Sequence, residues 1–135
     1  MLDHPRGPAL LDAVARLLRE VLIPQLPPGA VFHARVAANA VDLASRELRQ
    51  GPDAEAAAAQ RLQALLRREG PLPELEQQLA LRIRSGEIDD QDPALREHLW
   101  ASVLAKLAID QPGYAPYRRA LQLRADPTAT QHLAE

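Results

Sequence analysis

The sequence predicts an all-α fold, a compact bundle of about five helices with a short C-terminal extension. Three observations predict it. Leucine, alanine and valine recur at spacings of three and four, the signature of an amphipathic helix. Twelve prolines fall almost entirely between those periodic runs, where a fixed φ and a missing N–H are harmless. Aromatic residues are only 3% of the chain, and no stretch alternates β-branched with polar residues as a strand would.

The first helix opens near Pro8 and carries Leu10, Leu11, Val14, Leu17, Leu18, Val21 and Leu22 on one stripe, until Pro24 ends or kinks it. Leu26-Pro27-Pro28-Gly29 is a turn. A second helix is expected over about Ala30 to Gln50, closed by Gly51, with Phe32, Val36, Ala40 and Leu43 on its apolar line. Its alanines keep it thin, which places it at the centre of the bundle. Pro52-Asp53-Ala54-Glu55 begins a third, with Leu62, Leu65 and Leu66 as its buried edge and Arg67-Arg68 in its last turn. A fourth runs from Pro73 through Leu75, Leu79 and Ile83 to Ser85-Gly86. Asp92-Pro93 reads as an N-cap followed by proline at the first helical position. The fifth helix then carries Leu95, Leu99, Trp100, Val103, Leu104 and Leu107 to Pro112-Gly113. Beyond it lies an extension holding one helical turn or two, with residues 126–135 expected to fray.

Composition narrows the function. At 135 residues and 47% apolar content the chain suits one domain spanning 1–135. A formal net charge of −2 supplies no basic field for nucleic acid. The absence of cysteine removes disulfides, thiolate chemistry and cysteine-bearing metal sites. The start, Met1 to Pro8, has no basic segment followed by an apolar run, and no stretch reaches 18 uncharged apolar residues. The expectation is a cytoplasmic protein with no membrane partner.

Catalytic motifs are not apparent. His4, His33, His98 and His132 lie on separate segments without an i, i+4 partner, so no metal is expected, and the glycines are isolated rather than gathered into a phosphate loop. Ser45, Ser85 and Ser102 lack a nucleophile turn. His33 and His98 read as helix-surface or core-edge residues, each satisfied by a neighbour. No cofactor is expected.

Two constellations remain. Arg35 and Asn39 are four apart on one helix face beside Phe32, His33 and Val36. Arg35 could grip a carboxylate or phosphate of a ligand or partner through its planar fork. The structural reading is favoured, in which Arg35 pairs with an acid such as Asp42 or Glu47 and Asn39 ties down a loop. In the second, Lys106 stands alone in the apolar run Leu104 to Ile109, ahead of Pro112-Gly113-Tyr114. Either it meets an anionic partner or, as favoured, its stem covers apolar surface. Tyr114 and Tyr117 pack back on the bundle or anchor an interface, as Trp100 could.

The stretches Phe32 to Ala40 and Leu104 to Tyr114, together with Leu22-Ile23-Pro24 and Arg82 to Ile88, resemble a family of small bacterial proteins of unassigned biochemistry. Asp110 stands where that family carries Asn. The likeness spans most of the chain. Members typically occur beside aminoglycoside-phosphotransferase-like kinases and acyl-CoA-dehydrogenase-like enzymes, a pair thought to phosphorylate and then eliminate a hydroxyl of a hydroxyacyl-CoA. What the resemblance implies is a helper, with no active-site residue to carry over: a non-catalytic accessory subunit of such a kinase, its interface built from Phe32, Trp100 and Tyr114 with Arg35 near by. The alternative is a homodimeric structural module whose Ala-rich second helix pairs with its symmetry mate.

Overall fold

A computed structural model describes His4 and residues 6–125. Among them are five α-helices and no strand: α1 (Gly7–Leu17), α2 (Pro28–Leu66), α3 (Leu72–Arg84), α4 (Pro93–Asp110) and α5 (Ala115–Ala125). The all-α class is as expected. The five helices, however, are not the five that the sequence predicts, because the second and third are one and the extension forms another.

The fusion occurs at Gly51-Pro52, both inside α2. Proline there removes one donor, leaving the Leu48 carbonyl without its i+4 partner. Leu48 and Pro52 are exposed, so water can satisfy that oxygen. Gly51 lacks the Cβ that would clash with the following pyrrolidine ring, which permits helical geometry before the proline. A Gly-Pro pair that would ordinarily punctuate the chain is thereby absorbed.

At the other end of α1, Pro24 has its expected effect. Having no N–H for the Glu20 carbonyl, it forces the chain to widen into a π-helical turn (Leu18–Leu22), with the Ile23 N–H donating to the Leu18 carbonyl, and then to tighten into a 3₁₀ turn (Ile23–Gln25).

The chain divides into two compact units, Met1–Asp53 and Ala54–Glu135. In the first, α1 and the opening of α2 form an antiparallel hairpin. Ser45 donates to the Pro8 carbonyl (3.2 Å) and the Asp12 carboxylate (2.6 Å), while Arg19 reaches back to Asn39 and Asp42. Among the described residues of this unit, Ala15, Ala38 and Ser45 are buried. Small side chains set the seam, since they let two helix axes approach closely. The apolar line expected through Phe32, Val36 and Leu43 is corrected accordingly: Phe32 is 69% exposed and Val36 is also exposed.

The second unit is built on larger side chains. Leu62 and Leu66 from α2, Leu75 and Leu79 from α3 and Leu95 from α4 form one core, with Leu65, Leu72 and Ile88 packed against it. Leu62, Leu75 and Leu95 are fully buried, and each contributes about 2 kcal/mol of hydrophobic stabilisation. The expected buried edges of these segments hold, except that Ile83, Leu99 and Val103 turn outward.

The helix ends follow local chemistry. Asp92 caps α4, accepting from Ala94 N (2.8 Å) and Leu95 N (2.9 Å) ahead of Pro93. Gly86, at φ 75°, ends α3 in the left-handed conformation, with Glu87 N donating to the Arg82 carbonyl. Arg67 occupies the same place after α2, at φ 51°, with Arg68 N donating to the Gln63 carbonyl. There a non-glycine residue bears the left-handed strain. Helix α5, 11 residues long, exceeds the turn or two expected of the extension. Pro116 presets its first turn and the Tyr114 carbonyl accepts from Arg118 N. The expected fraying falls on residues 126–135, outside the described residues.

Opposite stability changes are expected at these two ends. Asp92→Ala removes two capping hydrogen bonds and should cost about 1 kcal/mol. Arg67→Gly relieves the left-handed conformation and should gain roughly 0.5–1 kcal/mol. Urea unfolding followed by circular dichroism measures both, and a shift of the wrong sign refutes the assignment at that end.

Candidate functional site

Of the residues singled out in the sequence, Phe32, His33, Arg35 and Asn39 fall in the first unit, and Trp100, Lys106 and Tyr114 in the second. Each set is described within its own unit.

In the hairpin, Asn39 has structural work. Its Oδ1 accepts from Arg19 (2.8 Å), whose guanidinium also pairs with Asp42 (2.6 Å). Asp42 is thereby engaged across the hairpin by Arg19, not by Arg35. Arg35 itself is exposed, with no hydrogen bond or ion pair among the described residues. Seven residues before Arg19, and three and seven residues after Asp42 along α2, a second cross-link forms. The Asp12 carboxylate accepts from Ser45 and pairs with Arg49. The Arg49 hydrogen bond and then that of Ser45 hold Asp12 below the ordinary carboxylate range, and Asp12 in turn raises Arg49. These pairs are open to solvent and fix register more than they add stability. Beyond them Phe32 and His33 lie edge to face, ring centroids 5.6 Å apart, in an exposed aromatic pair beside Arg35 and Val36.

Helix α4 has two unlike faces. Inward, Leu95 joins the leucine core and His98 is buried with it, at 5% exposure. Outward, Leu99, Trp100 and Val103 stand exposed, Trp100 at 54%. Lys106 follows three residues after Val103 and is exposed on the same line as Leu99. Tyr114, half exposed, follows the Pro112-Gly113 turn. An ion pair from Arg124 to Glu97 (2.5 Å) ties α5 to α4. Along α5, Ala115, Pro116, Arg119, Ala120 and Leu123 line a mainly apolar groove of about 230 Å³, below the usual size of a small-molecule site.

His98 corrects the sequence reading, which made it a surface or core-edge group satisfied by a neighbour. Its Nδ1 is buried without a hydrogen-bond partner among the described residues, and so is the Nε of Arg61. Burial lowers the His98 pKa most, and the positive charges of Arg61 and Lys106 lower it further against the opposing pull of Glu76. The imidazole is therefore held neutral in a positively charged surrounding. No helical periodicity distinguishes a buried histidine from an exposed one, so the sequence carried no signal for it. The apolar stripe that the sequence sets on the first helix is left partly in water, with Leu10, Val14, Leu17 and Val21 exposed.

Among the described residues, no three His, Asp or Glu side chains are grouped to hold a metal ion, and no helix is long and apolar enough to cross a membrane. What the surface does offer is aromatic and aliphatic side chains in groups, each with a cation beside it: Phe32 and Val36 with Arg35, and Leu99, Trp100 and Val103 with Lys106. Large exposed apolar groups rimmed by charge are the makings of a binding surface.

The burial of neutral His98 makes stability depend on pH. Unfolded, the imidazole takes up a proton near its ordinary value of 6.5; folded, only at lower pH. Its contribution is thus fully present above about pH 6.5 and declines as pH falls below it. Denaturant melts between pH 8 and 5 should show that decline in the wild type and a flatter profile for His98→Gln. Equal slopes would show that His98 is not the group responsible.

Residues 24–114 match the family described as a domain of unknown function, DUF6285. No curated protein and no solved structure matches the chain.

Proposed function

From the premise that the chain belongs to the DUF6285 family, we propose that it is a non-catalytic accessory subunit that binds an aminoglycoside-phosphotransferase-like kinase acting on hydroxyacyl-CoA-type substrates. The observation that carries the binding role is the outward face of α4. Its single tryptophan is 54% exposed between Leu99 and Val103, with Lys106 at the margin. Tryptophan is the side chain most enriched among residues that dominate binding energy, because one ring buries a large apolar area and loses little rotamer entropy. Leaving it half in water costs hydrophobic free energy that a partner would recover.

Phe32 and Val36 extend the same logic to the first unit, where Arg35, free of partners among the described residues, can donate to a carboxylate at the rim of an interface. The kinase as partner, and the acyl-CoA chemistry attached to it, rest on the family resemblance of the Phe32 to Ala40 and Leu104 to Tyr114 stretches. On this reading the chain supplies surface and stability, and the reacting groups belong to the kinase.

The test is to express a kinase of that type with and without this chain and to assay phosphorylation of a hydroxyacyl-CoA. Co-purification and higher activity in the presence of the chain are expected. Trp100→Ala should weaken the complex by roughly 30-fold or more, and Arg35→Ala by a few-fold, as an anchor and a rim residue differ. Unchanged activity together with no co-purification removes the proposal.

A further inference from the structure

Helix α1 carries more apolar surface than its hairpin uses. Viewed down its axis, Ala15 faces α2. Asp12 and Arg19, three before and four after it, occupy one flank, where they bind Ser45, Arg49, Asn39 and Asp42. The other flank holds Leu11 and Leu18 at its edge, and beyond them Leu10, Val14, Leu17 and Val21, each between 37% and 52% exposed. On that same flank Leu48 of α2 comes over the start of α1: a Cβ at Gly7 would lie 3.8 Å from its Cδ1. Leu48 is exposed as well. The hairpin thus has a polar, ion-paired face and an apolar, open one.

The open stripe is self-complementary. Leu10, Val14 and Leu17 have the four-and-three spacing of a helix-packing seam, and Val21 follows four residues on in the π-helical turn. Reversed, the spacing is unchanged. A second α1 laid antiparallel about an axis midway between Val14 and Leu17 sets Leu10 opposite Val21 and Val14 opposite Leu17, a large side chain against a small one at every level. No charge lies within the stripe, so no like-charge contact opposes the pairing. The area also suffices. Leu10, Val14 and Leu17 of α1, Val21 and Leu22 of the π-helical turn and Leu48 of α2 are each between 37% and 57% exposed, so a pair covering them buries on the order of 1,000 Å², the lower bound for a specific interface.

We propose that two copies of this chain associate through the open face of the hairpin, their α1 helices antiparallel about a two-fold axis. This differs from pairing through the Ala-rich second helix, and it is independent of the kinase, since it concerns the protein alone. An interface of this size gives a reversible dimer, and an isologous one closes without forming larger assemblies.

Sedimentation velocity of the full chain across concentrations should show a monomer–dimer equilibrium with a midpoint of roughly 1–100 µM. Val14→Glu should leave a monomer throughout, with an unchanged helical circular dichroism spectrum. Because the chain has no cysteine, cross-linking reads the register directly. Leu10→Cys mixed with Val21→Cys should oxidise to a disulfide-linked pair, and neither variant alone should do so. A wild type monomeric at 300 µM overturns the proposal. So does a dimer undisturbed by Val14→Glu, or self-linking of either cysteine variant alone, which marks a parallel register.

Discussion

Helix α2 supplies the buried wall of each unit, Ala38 and Ser45 in one and Leu62 and Leu66 in the other. Between the two sets the backbone stays helical through Gly51 and Pro52. An α-helix interrupted at this point would leave three or four carbonyls to be satisfied separately; continued through it, only the Leu48 carbonyl loses its donor. The proline also lies on a part of the helix with no buried neighbour in its own turn, so its cost falls where water can reduce it. The length of α2 is therefore a matter of where the defect sits, and its exposed position is what makes it tolerable.

The two units bury surface in opposite ways. The second removes whole leucine side chains from water and gains the usual hydrophobic free energy. The first closes on alanine and serine, which offer little transfer free energy but allow a short distance between helix axes. Its register is fixed instead by Asp12 with Ser45 and Arg49, and by Arg19 with Asn39 and Asp42. Exposed pairs of this kind contribute little individually. A seam that takes only the smallest side chains leaves the long ones of α1 and α2 outside, and this is the physical origin of the exposed Leu10, Val14, Leu17, Phe32 and Val36.

That choice explains what could be read from the sequence. Asp92-Pro93 and Ser85-Gly86 are local signals, complete within a few residues, and the structure uses them as written. The leucines at 62, 66, 75, 79 and 95 also stand out, because at helical spacing on three segments they form that unit's core, while Leu99 and Trp100 on the same helix as Leu95 turn outward. In the hairpin the same rule misleads. The apolar arc of α1 is wider than one neighbour can cover, and periodicity does not say which half meets α2. Asn39 looked like part of a binding constellation only because its partner, Arg19, lies 20 residues away in sequence. His98 and Arg61 could not be anticipated at all, since their burial depends on how three segments pack.

The candidate site shifts in character as a result. From the sequence, Arg35 and Asn39 read as a polar pair beside a buried apolar line. In the structure Asn39 is committed to Arg19, the line is in water, and Arg35 sits at its margin. The polar pair dissolves and the apolar residues become the prominent feature. A surface of this kind has few fixed donors with which to orient a small substrate, whereas an apolar centre with a cation at its edge is how protein partners are held. The thin seam and the binding surface are thus one property of the sequence: each alanine or serine that brings α1 and α2 together displaces a larger side chain to the outside, where another chain can cover it.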